Sequence, residues 1–215
     1  MLFAFIANMN AQTVLFEEDF ESSALIPETF TLINNDGFTA ASDGDEVWND
    51  SAWAVVSSSR PELEGTQVAA ALSYYTDMGD ATADDWMILP AITLGASSTL
   101  SWEAMSLTSS GDYPDDYQVI IAEVEADSDP TVDYMFSNGT ILLDQDDEWW
   151  SAAVSTPGEG LHTHELDLTD YADMDVWIAF RQNTGNGGGY LIAIDNIKVE
   201  EGSSTAIETV DATFA

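Results

Sequence analysis

"YLIAIDNIKVE", residues 190–200, decides the fold. In an extended strand the side chains alternate between faces, so Leu191, Ala193, Asp195, Ile197 and Val199 share one side. Ile192 and Ile194 make the opposite side apolar too. The same period-two pattern recurs along the chain. Leu100, Trp102 and Ala104 oppose Ser101 and Glu103, while Val176, Ile178 and Phe180 oppose Trp177 and Arg181. Strand-like stretches cover 13–20, 29–34, 52–57, 67–75, 86–94, 99–107, 117–125, 163–168, 175–182 and 189–200. Asp36-Gly37, Asp43-Gly44, Gly65, Gly79-Asp80, Pro157-Gly158 and the Gly187–Gly189 run punctuate them as turns. No long helical period is present, and one short helical turn is expected near 169–173. The pattern predicts an all-β fold, an antiparallel β-sandwich of the jelly-roll type in a single domain spanning 13–201.

The ends read differently. "MLFAFIANMNAQ" (1–12) is a short apolar run followed by small and polar residues, expected to be a truncated secretory signal peptide lacking its basic start. An ordinary first strand is the alternative. The run is too short to span a bilayer. Residues 202–215 lose periodicity, turn rich in Ser, Thr and Ala, and read as a flexible C-terminal linker.

Charge is the outlying property. The 215 residues carry 40 acids against 3 Lys and Arg, a formal charge of −37. The basic residues are Arg60, Arg181 and Lys198, so the carboxylates cannot all be matched by side chains. They must be hydrated, screened, protonated or bridged by metal ions. Nucleic acid and anionic membrane surfaces are repelled by such a field, so neither is expected as a partner, and no membrane insertion is expected. The absence of cysteine excludes disulfides, thiolate nucleophiles and cysteine metal sites.

Two acids fall on apolar stripes. In "LFEEDFES" (15–22), Phe16, Glu18 and Phe20 share a face if the strand continues, and Asp195 lies on the stripe of the last strand. A lone buried carboxylate is costly and tends to take up a proton. First and last strands of a jelly roll often lie side by side, so Glu18 and Asp195 are expected to meet across a hard cation. Ca²⁺ suits carboxylate and carbonyl oxygens. The alternative is that one of the two faces solvent at a strand end. Asp36, in the acidic loop 34–50, and the pair Asp84 and Asp85 before the strand "WMILP" are further metal candidates; the loop does not satisfy an EF-hand pattern. His162 and His164 share a face but lack a third ligand, and exposed strand positions account for them better.

Trp48, Trp149 and Trp150 lie in acidic, loop-like stretches, where flat rings can stack on sugars or close the end of a core. Arg181 either pairs with an acid across the sheet or lines a ligand groove. No G-x-S-x-G, H-E-x-x-H or P-loop is present, and carboxylate pairs are too abundant to single out a catalytic one.

Several pieces occur in a familiar order: "FEEDFES", Pro27, "FTLINNDG", "DDWMILPAITL", "LSWEA", "DDYQVIIA", "ELDLTDYADMDVWIAFR" and "YLIAIDNIKV". Together they resemble the choice-of-anchor J domain, related to the cleaved adhesin domains of gingipain-type secreted proteases, over residues 14–200. The resemblance implies a jelly-roll sandwich similar to MAM domains and carbohydrate-binding modules. It further implies a secreted or cell-surface location, often through type IX secretion, with structural calcium and no catalysis of its own. It supports Glu18 and Asp195 as calcium ligands, then Asp36, Asp84 and Asp85. The stretch from Asp36 to Trp48 is longer than the family's compact Asp/Gly-rich loop. The expected function is a calcium-stabilised adhesion module for a glycan or a surface protein. The rival expectation is a self-associating subunit of an extracellular filament or surface layer.

Overall fold

The computed structural model describes residues 12–42, 46–57, 63, 66–107, 114–148, 160–185 and 189–202. They form two antiparallel six-stranded sheets. One sheet runs β10 (His162–Asp167), β7 (Ser98–Ser106), β12 (Leu191–Glu201), β4 (Gln67–Leu72), β3 (Ala54–Ser57), with β1 (Thr13–Glu18) also on β12. The other runs β2 (Thr31–Asn34), β5 (Asp85–Ile88), β11 (Asp175–Gln182), β8 (Tyr117–Glu123), β9 (Thr140–Gln145), with β6 (Ile92–Thr93) also on β11. The expected jelly-roll sandwich is what the chain forms, and its first and last strands do pair, Phe16 against Val199 and Glu18 against Ile197.

The core between the sheets is built from the alternating positions. Leu100, Trp102 and Ala104 of β7 meet Val176, Ile178 and Phe180 of β11 in one buried cluster. Trp102 packs edge-on to Phe180 at 5.6 Å. Trp48, Leu72, Met105 and Leu191 form a second cluster outside the first sheet, and Trp86, Ile120 and Trp177 a third outside the other. Both sheets are therefore covered on part of their outer faces.

The last strand departs from simple alternation. Between the pairs Asp195–Glu103 and Lys198–Ser101, β12 advances three residues while β7 advances two. This β-bulge is centred on Asn196, whose φ of 49° lies in the left-handed region that Asn tolerates better than most residues. Before the bulge Ile192 and Ile194 face the central core; after it, Ile197 and Val199 do. The expected single stripe from Leu191 to Val199 is thus corrected, because one inserted residue reverses every side chain beyond it. Without the bulge Ile197 and Val199 would turn outward, losing roughly 1.5–3 kcal/mol of burial each. That outweighs the ~1–2 kcal/mol of a left-handed residue.

Other strands stop short of their expected ends. Pro90 removes a backbone donor and splits 86–94 into β5 and β6, both on β11. The sequence reading missed β9 and the helix α1 (Val132–Asn138). Thr131 caps α1 by accepting the Tyr134 N–H, and Gly139 N–H closes it on Met135 O. Seven residues are too few for a helical period to declare itself. The expected turn near 169–173 is a 3-10 helix, Thr169–Tyr171. No helix among the described residues is long and apolar enough to cross a membrane.

Candidate functional site

The strand β1 ends at Glu18, and two residues later Phe20 sits in the left-handed region at φ 53°. That reversal drops Phe20 into the core, against Phe30 at 6.2 Å, while Phe16 meets Phe30 at 5.9 Å. Glu18 therefore does not lie between two phenylalanines of one strand. Its half-buried Oε1 accepts the Phe20 N–H at 2.7 Å. It lines a groove of about 340 Å³ with Glu17, Asp19 and Lys198, and Asp195 is not among the lining residues.

Asp195 is 1% exposed and points outward from the first sheet, on the side opposite Ile197. Two acids neighbour it: Glu103, paired opposite it on β7, and Glu21, which shares the Thr66 hydroxyl with it. Thr66 Oγ1 lies 2.6 Å from Glu21 Oε1 and 3.3 Å from Asp195 Oδ2. One hydroxyl proton cannot serve both carboxylates fully. Glu21 Oε1 also accepts Gln67 N–H at 2.7 Å, and these donors hold its carboxyl below the ordinary value. Asp195 Oδ1 accepts the N–H of Asn196 at 2.7 Å, so the bulge supplies one donor. Burial nonetheless pushes Asp195 up to about 7, and the neighbouring charges of Glu103 and Glu21 add to the rise. Glu103 accepts the Asn196 side-chain amide at 2.7 Å. The nearby cation, Lys198, is 2.7 Å from Glu200.

Alternation through residue 20 sets Glu21 on the face opposite Glu18, so the sequence reading did not connect this exposed acid with Asp195. Its signal is local: Phe20 breaks the strand, so alternation counted through residue 20 assigns the wrong acid. As a donor set, two carboxylates and a hydroxyl fit a hard cation such as Ca²⁺. No group of three or more His, Cys, Asp or Glu side chains among the described residues is arranged to hold a metal ion.

The other metal candidates have protein partners. Asp36 takes two backbone N–H groups, from Phe38 at 2.8 Å and from Asp84 at 2.7 Å. Its burial raises its pKa, those hydrogen bonds opposing the shift. Asp84 accepts from Asn35 at 2.5 Å, Trp86 Nε1 at 2.7 Å and Arg181 Nε at 2.6 Å. Asp85, its neighbour, points the other way, into the sandwich. There it is 0% exposed and accepts the Tyr75 hydroxyl at 2.9 Å. Its Oδ1 has no hydrogen-bond partner among the described residues, and burial, with the charge of Asp36 next, lifts it to about 8. Adjacency in sequence thus separates Asp84 from Asp85, as strand alternation requires.

Among the ligand candidates, Trp48 is corrected. It is 5% exposed, and its indole N–H is donated to Ala70 O at 3.3 Å, so it fills the second cluster instead of offering a ring to a ligand. Trp149 and Trp150 lie outside the described residues, as do Asp43, Asp45 and Arg60. Arg181 pairs with Asp84 across the sheet, one of its two expected roles. His162 is exposed as expected, but His164 is half-buried, stacked on Trp102 at 5.1 Å and 3.1 Å from Glu148, which corrects its reading as an exposed position.

No protein-family model matches the chain, and no curated protein sequence does. Solved structures do match. The K1 cleaved adhesin domain of Lys-gingipain from Porphyromonas gingivalis W83 is similar at TM-score 0.59 and 18% identity, over 87% of this chain and 98% of that one. The K2 cleaved adhesin domain of Lys-gingipain gives 0.54 and 21%, over 87% and 98%. A Clostridium thermocellum endo-1,4-β-D-xylanase fragment with CBM22-1 and GH10 modules, complexed with xylohexaose, gives 0.50 and 8%, over 91% of this chain and 30% of that one. At these identities the likeness is one of fold: the chain has an adhesin-like β-sandwich.

Proposed function

We propose that this chain is a secreted or cell-surface binding module, non-catalytic and stabilised by calcium. Its ligand would be a glycan or a surface protein. The observation that carries the reading is the end-to-end match to single adhesin domains, 98% of the K1 domain's length being covered. The order of motifs over 14–200 supports the same class.

Calcium would be held where Asp195, Glu21 and Thr66 meet. It would supply the positive charge that this acidic seam lacks. The seam joins the turn after β1 to the bulge of β12 and the start of β4, so an ion there would tie both ends of the domain together. Asp36 and Asp84 are not included, since their oxygens serve protein donors, and neither is Asp85, whose carboxyl is shut inside the sandwich with the Tyr75 hydroxyl.

The test is a binding survey of the purified chain against arrayed glycans and extracellular proteins, with a parallel assay for polysaccharide hydrolysis. Saturable binding without turnover is expected. Turnover that is lost on changing a single carboxylate would replace the binding module with an enzyme. Ordered fibres forming without ligand would favour the filament subunit.

A further inference from the structure

The outer face of the second sheet carries a row of side chains that the seam at Asp195 does not use. Cross-strand pairing sets Trp86 of β5 beside Arg181 of β11, Arg181 beside Gln118 of β8, and Gln118 beside Asp144 of β9. Hydrogen bonds lock the row. Arg181 Nε donates to Asp84 at 2.6 Å and Nη1 to Gln118 Oε1 at 2.9 Å, while Gln118 Nε2 donates to Asp144 Oδ1 at 2.9 Å. The guanidinium is also held between two rings, 5.3 Å from Trp86 and 4.8 Å from Phe136 of α1. Phe136 stands edge-to-face on Trp86 at 4.9 Å, yet remains 50% exposed.

This arrangement leaves valences unused. A guanidinium has five N–H donors, and two are placed by these bonds. Its Nη2 has no acceptor among the described residues, and Asp144 Oδ2 has no donor there. Trp86 is 0% and Gln118 7% exposed, so these two brace the row from beneath, and the groups open to a ligand are Arg181 and Asp144, beside a half-exposed ring on a helix. A sugar matches that combination: each hydroxyl both donates and accepts, and the ring face presents C–H groups to an aromatic.

Charge then selects among sugars. Asp84 and Asp144 belong to the row, Asp116 adjoins it, and the whole chain carries −37. Uronic or sulfated glycans would be repelled. A basic peptide would meet Arg181 at the centre, already paired with Asp84. We propose that Arg181 and Asp144, braced by the buried Trp86 and Gln118, form with Phe136 as stacking platform a binding site for a neutral oligosaccharide. The proposal rests on the binding-module reading and narrows it to one site and one ligand class.

The experiment is a titration of the whole chain on an array of neutral and uronic-acid glycans, repeated with Phe136→Ala and Asp144→Asn. Melting temperatures are recorded to confirm folding. Binding of neutral glycans is expected, with at least about tenfold weaker affinity in each variant, Asp144→Asn melting nearly as wild type and Phe136→Ala somewhat lower through its lost contacts with Trp86 and Arg181 but still folded, and no binding of uronic-acid glycans. Neutral-glycan binding that both folded variants retain would overturn the site while leaving the binding module standing. Preference for uronic-acid glycans would overturn the ligand class. Binding to proteins alone would overturn the proposal and still uphold the broader function. An absence of binding to any glycan or protein would remove both.

Discussion

Replacing Asp85 by Asn should remove much of one pH dependence from the stability of this protein. The carboxyl is 0% exposed, receives one hydrogen bond from Tyr75, and has an Oδ1 unpartnered among the described residues. Its folded pKa is raised from 3.8 to about 8. The folded state therefore holds a proton that the unfolded chain releases. The associated stability is fully present below the unfolded pKa and is lost as pH rises toward 8. Between the ordinary carboxylate value and neutrality lie roughly three pH units at ~1.4 kcal/mol each, so about 4 kcal/mol is at stake, as an order of magnitude. Asn keeps the shape and can still accept from Tyr75, but never ionises. Urea denaturation followed by tryptophan fluorescence at pH 4, 5.5 and 7, in ~1 M NaCl to screen surface acids, measures the difference. Near pH 4 the variant should lie within ~1 kcal/mol of wild type. At pH 7 it should be more stable by a few kcal/mol. Asp115 and Asp195, both pushed up to about 7, tilt wild type and variant alike and cancel in the comparison. Parallel curves for the two proteins would refute the reasoning about Asp85.

Other perturbations read different parts of the structure. Gly189→Ala should destabilise by ~3 kcal/mol or more, because φ is +54° and a Cβ would run into Asp115 Oδ1 and Ser73 Oγ. A melting temperature within two degrees or so of wild type would count against that packing. Asn196→Val should cost about 2–3 kcal/mol through the left-handed backbone and the lost bond to Glu103, whereas Asn196→Gly should cost no more than ~1 kcal/mol. Equal losses from the two would mean that the bulge conformation is not what Asn196 supplies. Trp48→Phe should lower stability by ~1–3 kcal/mol, since the indole is buried and bonded to Ala70, with ligand binding unaffected. Loss of binding at unchanged stability would restore Trp48 as a ligand contact.

The sandwich was legible because its evidence is repeated: a period of two, written over ten stretches, survives local exceptions. The candidate site depended on two exceptions. Alternation carried through Phe20 paired Glu18 with Asp195, and the left-handed residue there instead brings the exposed Glu21 to the Thr66 hydroxyl that Asp195 also meets. Alternation carried through Asn196 put Asp195 beside Ile197, and the bulge sends them to opposite faces. Neither residue type announces its backbone angle, since Phe and Asn occur in strands and turns alike. Asp195 was nevertheless rightly singled out as a buried acid, because both faces of its strand are apolar up to that point. The paired role of Arg181 was legible from the scarcity of cations. Its clamp by Phe136 was not, because α1 is too short to leave a pattern in the sequence.

Calcium titration by calorimetry, at ~150 mM NaCl to suppress diffuse counterion uptake, tests the central claim about this seam most directly. The account predicts one saturable site in wild type and in Glu18→Gln. It predicts loss of that site in Glu21→Gln and in Asp195→Asn. Uptake that requires Glu18 but not Glu21, or no saturable uptake by wild type, would contradict it.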